Sequence, residues 1–271
     1  MSSNASLPRH ILRIASHAKT PTAYMVFLHG ILGTKNNWRS IARAFTAARP
    51  EWAALLVDLP EHGDAPRTHG PHTVEACARA IGALETHVEA PIRGMLGHSF
   101  GGKVALTYSE THSLDELWLI DSNPAASSPN TPGLTDKVIR ALRSVVFPVN
   151  STEAFVAELK ALGIATAVGH WLAMNLRSSE NGQKHWGLNL DAIDALIADY
   201  RAQDLFPVLE TSKASCIQVV IGDRSEVWQE ADLKRLPQTA HLKCHRLDTG
   251  HWVHVEAPED LSLLLASPPR M

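Results

Sequence analysis

Short continuous apolar runs alternate along this chain with stretches in which apolar residues recur every three or four positions. Tyr24–Leu28, Ala53–Val57 and Leu117–Ile120 are runs of the first kind, and Ile92–Leu96 and Ile217–Ile221 are similar apart from Arg93 and Gln218. Runs this short and this apolar predict strands buried on both faces. Between them, Trp38, Ile41, Ala42, Phe45 and Ala48 fall on one face of a helix starting near Asn37. Thr73 is placed to cap a second helix with the stripe Val74, Cys77, Ala78, Ile81 and Leu84. A third helix is predicted over 102–111. Arg9 to Ala15 alternates and predicts a first, edge strand, His241 to Leu247 a last one, and a closing helix follows Pro258. Strand and helix in turn imply a mostly parallel, doubly wound sheet with right-handed crossovers.

The alternation breaks after Asn123. Pro124, Ser127, Ser128, Pro129, Pro132 and Gly133 mark turns. Three helical stripes follow: Leu134, Val138, Ile139, Leu142, Val145 and Val146; Phe155, Leu159 and Leu162; Ile193, Leu196 and Ile197. No strand is predicted before about Phe206. The expected organisation is a core of residues 1–122 and 207–271 interrupted by a helical cap, 123–206. An insertion beyond the carboxyl end of a strand is where a lid over a site would sit.

A length of 271 residues suits one α/β domain with an insertion. The formal charge of −3, with acids and bases interspersed, offers no electrostatic footprint for nucleic acid or an anionic membrane surface, so a small, largely uncharged substrate is expected. Cys77, Cys216 and Cys244 have neither metal-site nor redox spacing and read as reduced, buried thiols of a cytoplasmic protein. No apolar run approaches membrane-spanning length, and the opening Met1–Ser6 lacks the apolar centre of a secretory signal. Arg9, Arg13 and Lys19 precede the first acid, Glu51, as in organelle-transit segments, but the strand pattern at 9–15 ties that segment to the fold. Nothing points to a particular oligomeric state.

The chemistry gathers at Gly97-His98-Ser99-Phe100-Gly101, a Gly-x-Ser-x-Gly turn between a predicted strand and a predicted helix. Such a turn pushes a serine hydroxyl toward substrate, and glycines are needed where Cβ atoms do not fit. A serine hydroxyl becomes a nucleophile only beside a base that a carboxylate holds in place. His251 follows the last strand directly and falls at the same sheet edge. His98 points along the turn, His29 shapes the neighbouring loop, and His62 and His254 read as structural. A metal site from His251, His254 and Glu256 lacks convincing spacing, so no metal is expected. The backbone N–H groups of Phe100 and of Ile31, after His29-Gly30, are the candidate oxyanion donors. Two carboxylates keep the chain order serine, acid, histidine: Asp121, ending one strand, and Asp223, following the next. Ser225 could reach the histidine but brings no charge.

His29-Gly30-x-x-Gly33, Gly97 to Lys103, and Gly250-His251-Trp252-Val253-His254-x-Glu256-x-Pro258 together resemble the α/β-hydrolase fold enzymes, and among them the YbfF-type small serine esterases. The resemblance implies an α/β-hydrolase fold with about eight strands and a helical cap, no cofactor, and hydrolysis of small acyl esters or thioesters. It also implies that Ser225 stands where most of that superfamily carries the acid, and that Asp121 supplies the carboxylate with Ser225 assisting. Acyl transfer, a lyase step on the same site, or a slow ligand receptor are the rival readings.

Overall fold

The computed structural model describes residues 7–128 and 133–267; the opening Met1–Ser6 and the turn residues Pro129 and Pro132 lie outside them. The chain begins with β1 (Ile11–Ala15) and β2 (Ala23–Leu28), then α1 (Arg39–Ala48), β3 (Trp52–Val57), α2 (Val74–Gly82), β4 (Ile92–His98), α3 (Phe100–Tyr108) and β5 (Glu116–Ile120). After an insertion come α8 (Phe206–Thr211), β8 (Ile217–Gly222), the short α9 (Glu230–Leu233), β9 (Leu242–Leu247), and the helices α10 (Val253–Glu256) and α11 (Pro258–Ala266).

Seven strands form the main sheet in the order β1-β3-β2-β4-β5-β8-β9, against about eight expected. Only the edge strand β1 runs antiparallel to its neighbour. Central strands are buried on both faces, as their mainly apolar sequences require, with Glu116 of β5 and Gln218 of β8 buried among them. Alternate residues feed two cores. Val26 and Leu28 of β2 join α2 and α3 through Cys77, Ile81 and Val104, while Met25 and Phe27 meet Ile41 and Phe45 of α1 and Leu261 and Leu265 of α11. Thr73 caps α2 as expected, its side chain accepting the Ala76 N–H.

The insertion holds α4 (Leu134–Ser144), α5 (Thr152–Ala161), α6 (Thr166–Leu172) and α7 (Leu190–Ala202). Most of the three expected stripes is buried in the core, but Leu134, Val146 and Leu162 are exposed, and α6 corresponds to no expected stripe. One expectation is corrected here: an antiparallel pair, β6 (Leu176–Ser178) with β7 (Lys184–Trp186), lies between α6 and α7. Three-residue strands with exposed positions leave no apolar run or alternation to read. A second correction concerns the thiols. Cys77 and Cys216 are buried, but Cys244 on β9 is exposed, because an outer strand turns alternate residues to solvent.

Candidate active site

Ser99 stands between β4 and α3 with φ 51° and ψ −114°, a conformation side chains rarely adopt. The chain around it enforces the turn. A Cβ on Gly97 would lie 2.1 Å from the Gly101 carbonyl oxygen, and one on Gly102 would lie 2.3 Å from the Ser122 side chain. Ser99 N–H donates to Ile120 O at 3.0 Å, and the Ser122 hydroxyl donates to Ser99 O at 2.7 Å.

Asp121, immediately after β5, is fully buried and has φ 42°, which turns its carboxylate inward. Its Oδ2 lies 2.7 Å from His251 Nδ1 and accepts the Ser225 hydroxyl at 2.5 Å; its Oδ1 accepts Gly222 N–H at 3.2 Å. Ser225 therefore meets the carboxylate rather than the imidazole. Asp223 faces away, its Oδ1 accepting Arg246 Nε at 2.6 Å on the surface. Glu256 accepts the Gly250 N–H at 2.9 Å and pairs with Arg224, which fixes the loop carrying His251.

The loop after β2 brings Ile31 to the same place. His29 donates Nδ1–H to Gly30 O at 2.8 Å and accepts Leu59 N–H on Nε2 at 3.0 Å. His62 accepts Leu32 N–H on Nε2 at 3.1 Å, while its Nδ1–H bonds Pro60 O at 2.9 Å. From the insertion, buried Asn175 donates to Leu32 O at 2.8 Å. Leu32 itself has φ 62°, so this loop is gripped from both sides of a strained residue. Among the described residues, Ile31 N–H finds no acceptor. Phe100 N–H opens α3 and is one of its unpaired leading amides.

Burial holds four histidines neutral. It lowers His29 and takes His62 and His98 well below the usual imidazole value; His254 falls to about 4 through burial, with His251 adding to it. His98 uses its Nε2–H to bond the His251 carbonyl at 2.8 Å, so it anchors the backbone of the residue beside it in space. The Asp58-Leu59-Pro60-Glu61-His62 loop also does more than connect: Asp58 bonds Lys35 at 2.7 Å beneath the Ile31 loop.

A small cavity of about 80 Å³ opens over Ser99 and His251, between the Ile31 loop and α4, α6 and Trp252. Leu134, Val138, Val168, Trp171 and Trp252 make its walls apolar, and no lysine, arginine or carboxylate among the described residues lines it. Sequence reading missed Asn175, Tyr200 and the role of Lys103. Only the last left a signal, a lone charge inside the otherwise uncharged helix 100–108.

A family model described as the alpha/beta hydrolase family matches residues 25–262, and the chain belongs to that family. It is 29% identical over 248 residues to an "sn-1-specific diacylglycerol lipase ABHD11" of Danio rerio, covering 87% of this chain and 75% of that one. Over 135 residues it is 29% identical to a "2-succinyl-6-hydroxy-2,4-cyclohexadiene-1-carboxylate synthase" of Serratia proteamaculans, 48% of each chain. A solved structure titled "Marine microorganism esterase" matches with TM-score 0.78 at 20% identity, over 94% of this chain and 96% of that one, and shares the fold. No helix among the described residues is long and apolar enough to cross a membrane.

Proposed function

We propose that the protein is a serine hydrolase that cleaves small, uncharged acyl esters or thioesters through an acyl-enzyme. Ser99 Oγ attacks the acyl carbonyl and His251 Nε2 takes its proton. Asp121 holds the Nδ1–H side of the ring and stabilises the imidazolium, and Ser225 and Gly222 hold Asp121. Ile31 and Phe100 N–H receive the oxyanion, a pair in which one donor is typically worth about 3 kcal/mol. His251 returns the proton to the leaving group. Water, activated by the same histidine, then releases the acid.

The observation that carries this reading is the 2.7 Å contact between His251 Nδ1 and a buried Asp121 carboxylate at the edge of a cavity that also exposes Ser99. The insertion serves as the cap over that cavity. Among the described residues no cationic side chain lines the cavity, which favours neutral acyl groups over carboxylate-bearing substrates. Glycerol esters such as those named for the diacylglycerol lipases are members of the class. Three free thiols, one of them exposed, suit the reducing cytoplasm.

The test is intact-mass labelling with a fluorophosphonate, run beside Ser99→Ala, followed by short-chain ester and thioester panels with and without an added alcohol. One adduct that vanishes in the variant, with acid as the product, is expected. A folded protein that takes no adduct would overturn the mechanism, and ester products from the added alcohol would replace hydrolysis by transfer.

A further inference from the structure

Four residues beyond Ser99, the side chain of Lys103 is almost wholly enclosed. Its ammonium donates to three main-chain carbonyls, Ala125 O at 2.8 Å, Tyr200 O at 2.8 Å and Gln203 O at 2.7 Å, which uses all three of its protons. Asp204, Asp199 and Asp232 act on it only through space, opposing a burial that brings it down to about 8, so at neutral pH it carries its charge. The three carbonyls belong to both arms of the insertion. Ala125 lies on the arm that leaves the sheet after β5, and Tyr200 and Gln203 lie on the arm that returns. These arms also bond each other, Leu205 N–H to Pro124 O and Ser127 N–H to Arg201 O, both at 2.8 Å.

The same ammonium stands 4.4 Å from the centre of the Tyr200 ring, which meets the Phe100 ring at 5.9 Å. The Tyr200 hydroxyl faces the Ser99 side chain. One buried cation thus touches both hinges of the cap, and the residue it fixes borders the serine turn. A stabilising contact alone would not need to converge on that turn.

We propose that Lys103 is a positioning residue: it pins both arms of the cap to the helix that carries the serine turn and so holds Tyr200 against Phe100 and Ser99. Placement of the cap and geometry of the nucleophile become one property. The proposal rests on Ser99 being the nucleophile, and its structural half can be read without any reaction. Methionine at position 103 would keep the bulk and leave three carbonyls without a donor, whereas glutamine would serve two of them.

The experiment compares wild type, Lys103→Met, Lys103→Gln and Tyr200→Phe by amide hydrogen exchange and by fluorophosphonate acylation with steady-state kcat and KM. In Lys103→Met the two arms, 123–128 and 199–206, are expected to exchange about tenfold faster while β4 and β5 keep their protection. Acylation is expected to fall roughly 10- to 100-fold, chiefly in kcat, with Lys103→Gln between the two. Tyr200→Phe should leave exchange unchanged and slow acylation severalfold. Exchange that rises evenly through core and arms in both lysine variants, or arms that loosen with acylation unaltered, would overturn the pin. Wild type that never labels would instead overturn the Ser99 reading, and the exchange data would still decide whether Lys103 holds the arms.

Discussion

The Ser225 hydroxyl lies 2.5 Å from Asp121 Oδ2, the same oxygen that faces the His251 ring. A fully buried carboxylate needs its lone pairs filled, and here an alcohol, an imidazole and the Gly222 amide fill them. Removing the hydroxyl should leave the carboxylate bound to the histidine but freer to rotate. We expect Ser225→Ala to lower kcat roughly fivefold to thirtyfold with KM little changed, as befits loss of a supporting hydrogen bond of about 1–2 kcal/mol. An unchanged kcat would show that the imidazole alone orients Asp121.

Asp121→Asn tests the acid itself. It keeps the volume but presents an amide to the ring, which favours the wrong tautomer, and a loss of about 10⁴ in kcat is expected. Asp223→Asn should stay near wild type, because that carboxylate is paired with Arg246 at the surface. The reverse ranking in a kinetic assay would reassign the acid.

The pH dependence of stability follows from the buried histidines. In the folded state His29, His62, His98 and His254 are lowered below the ordinary imidazole value, and His29 and His62 each accept an N–H on a ring nitrogen whose lone pair protonation would occupy. The unfolded chain binds protons near pH 6.5, so below that pH it holds more of them than the folded chain until the folded histidines protonate as well. The stabilising contribution is therefore complete above about pH 6.5 and is lost as pH falls toward the value of about 4 set by His254. For His254 this amounts to about 1.4 kcal/mol per pH unit across that window. Thermal unfolding between pH 7.5 and 4.5 should show a steep fall in Tm, and His254→Gln should make it shallower. A Tm independent of pH over that range would contradict the assignment.

A stability test away from the site comes from Arg49 and Glu116. Their side chains are buried and joined by two bonds, 3.0 and 2.6 Å, and Trp118 Nε1–H adds a third to the carboxylate at 2.8 Å. Glu116→Ala would leave the guanidinium enclosed between the Phe45 and Trp52 rings with only the part-exposed Glu51 carboxylate, 3.9 Å away, as a charge partner. Breaking one side of such a pair typically costs about 3–5 kcal/mol, and a fall in Tm on the order of 10 °C is expected in calorimetry.

How far the fold could be read depended on how local its cause was. The strained turn at Ser99 requires glycines close by in sequence, and the buried strands are mainly apolar runs, so both are visible in the letters. Asp121 and Asp223 each follow a strand of one sheet, and spacing alone leaves them equivalent. What separates them is backbone direction, inward at Asp121 with φ 42° and onward to the surface at Asp223. Residues placed by the tertiary fold left little trace. Tyr200 borders Phe100 across a hundred positions of chain, and the hairpin of β6 and β7 is too short to carry a pattern.

Asn175 is the extreme case, since its amide reaches Leu32 O across 143 positions. It sits in the insertion, is fully buried, and meets the carbonyl of the residue next to Ile31. That peptide is strained, with φ 62° at Leu32, so it stays in place only while its neighbours hold it. His62 holds its N–H and Asn175 its carbonyl, which together aim the Ile31 amide at the cavity. Asn175→Ala removes one of the two grips and leaves a buried carbonyl unpaired, at a cost of about 1–3 kcal/mol. Because the oxyanion forms only after attack, the loss should appear mainly in kcat, roughly tenfold to a hundredfold, while KM for a short-chain ester stays within about twofold. Asn175→Asp, which keeps the shape but replaces the donor with an acceptor, should be no better than alanine. Full activity in both variants would mean that the Ile31 loop holds its shape without help from the cap.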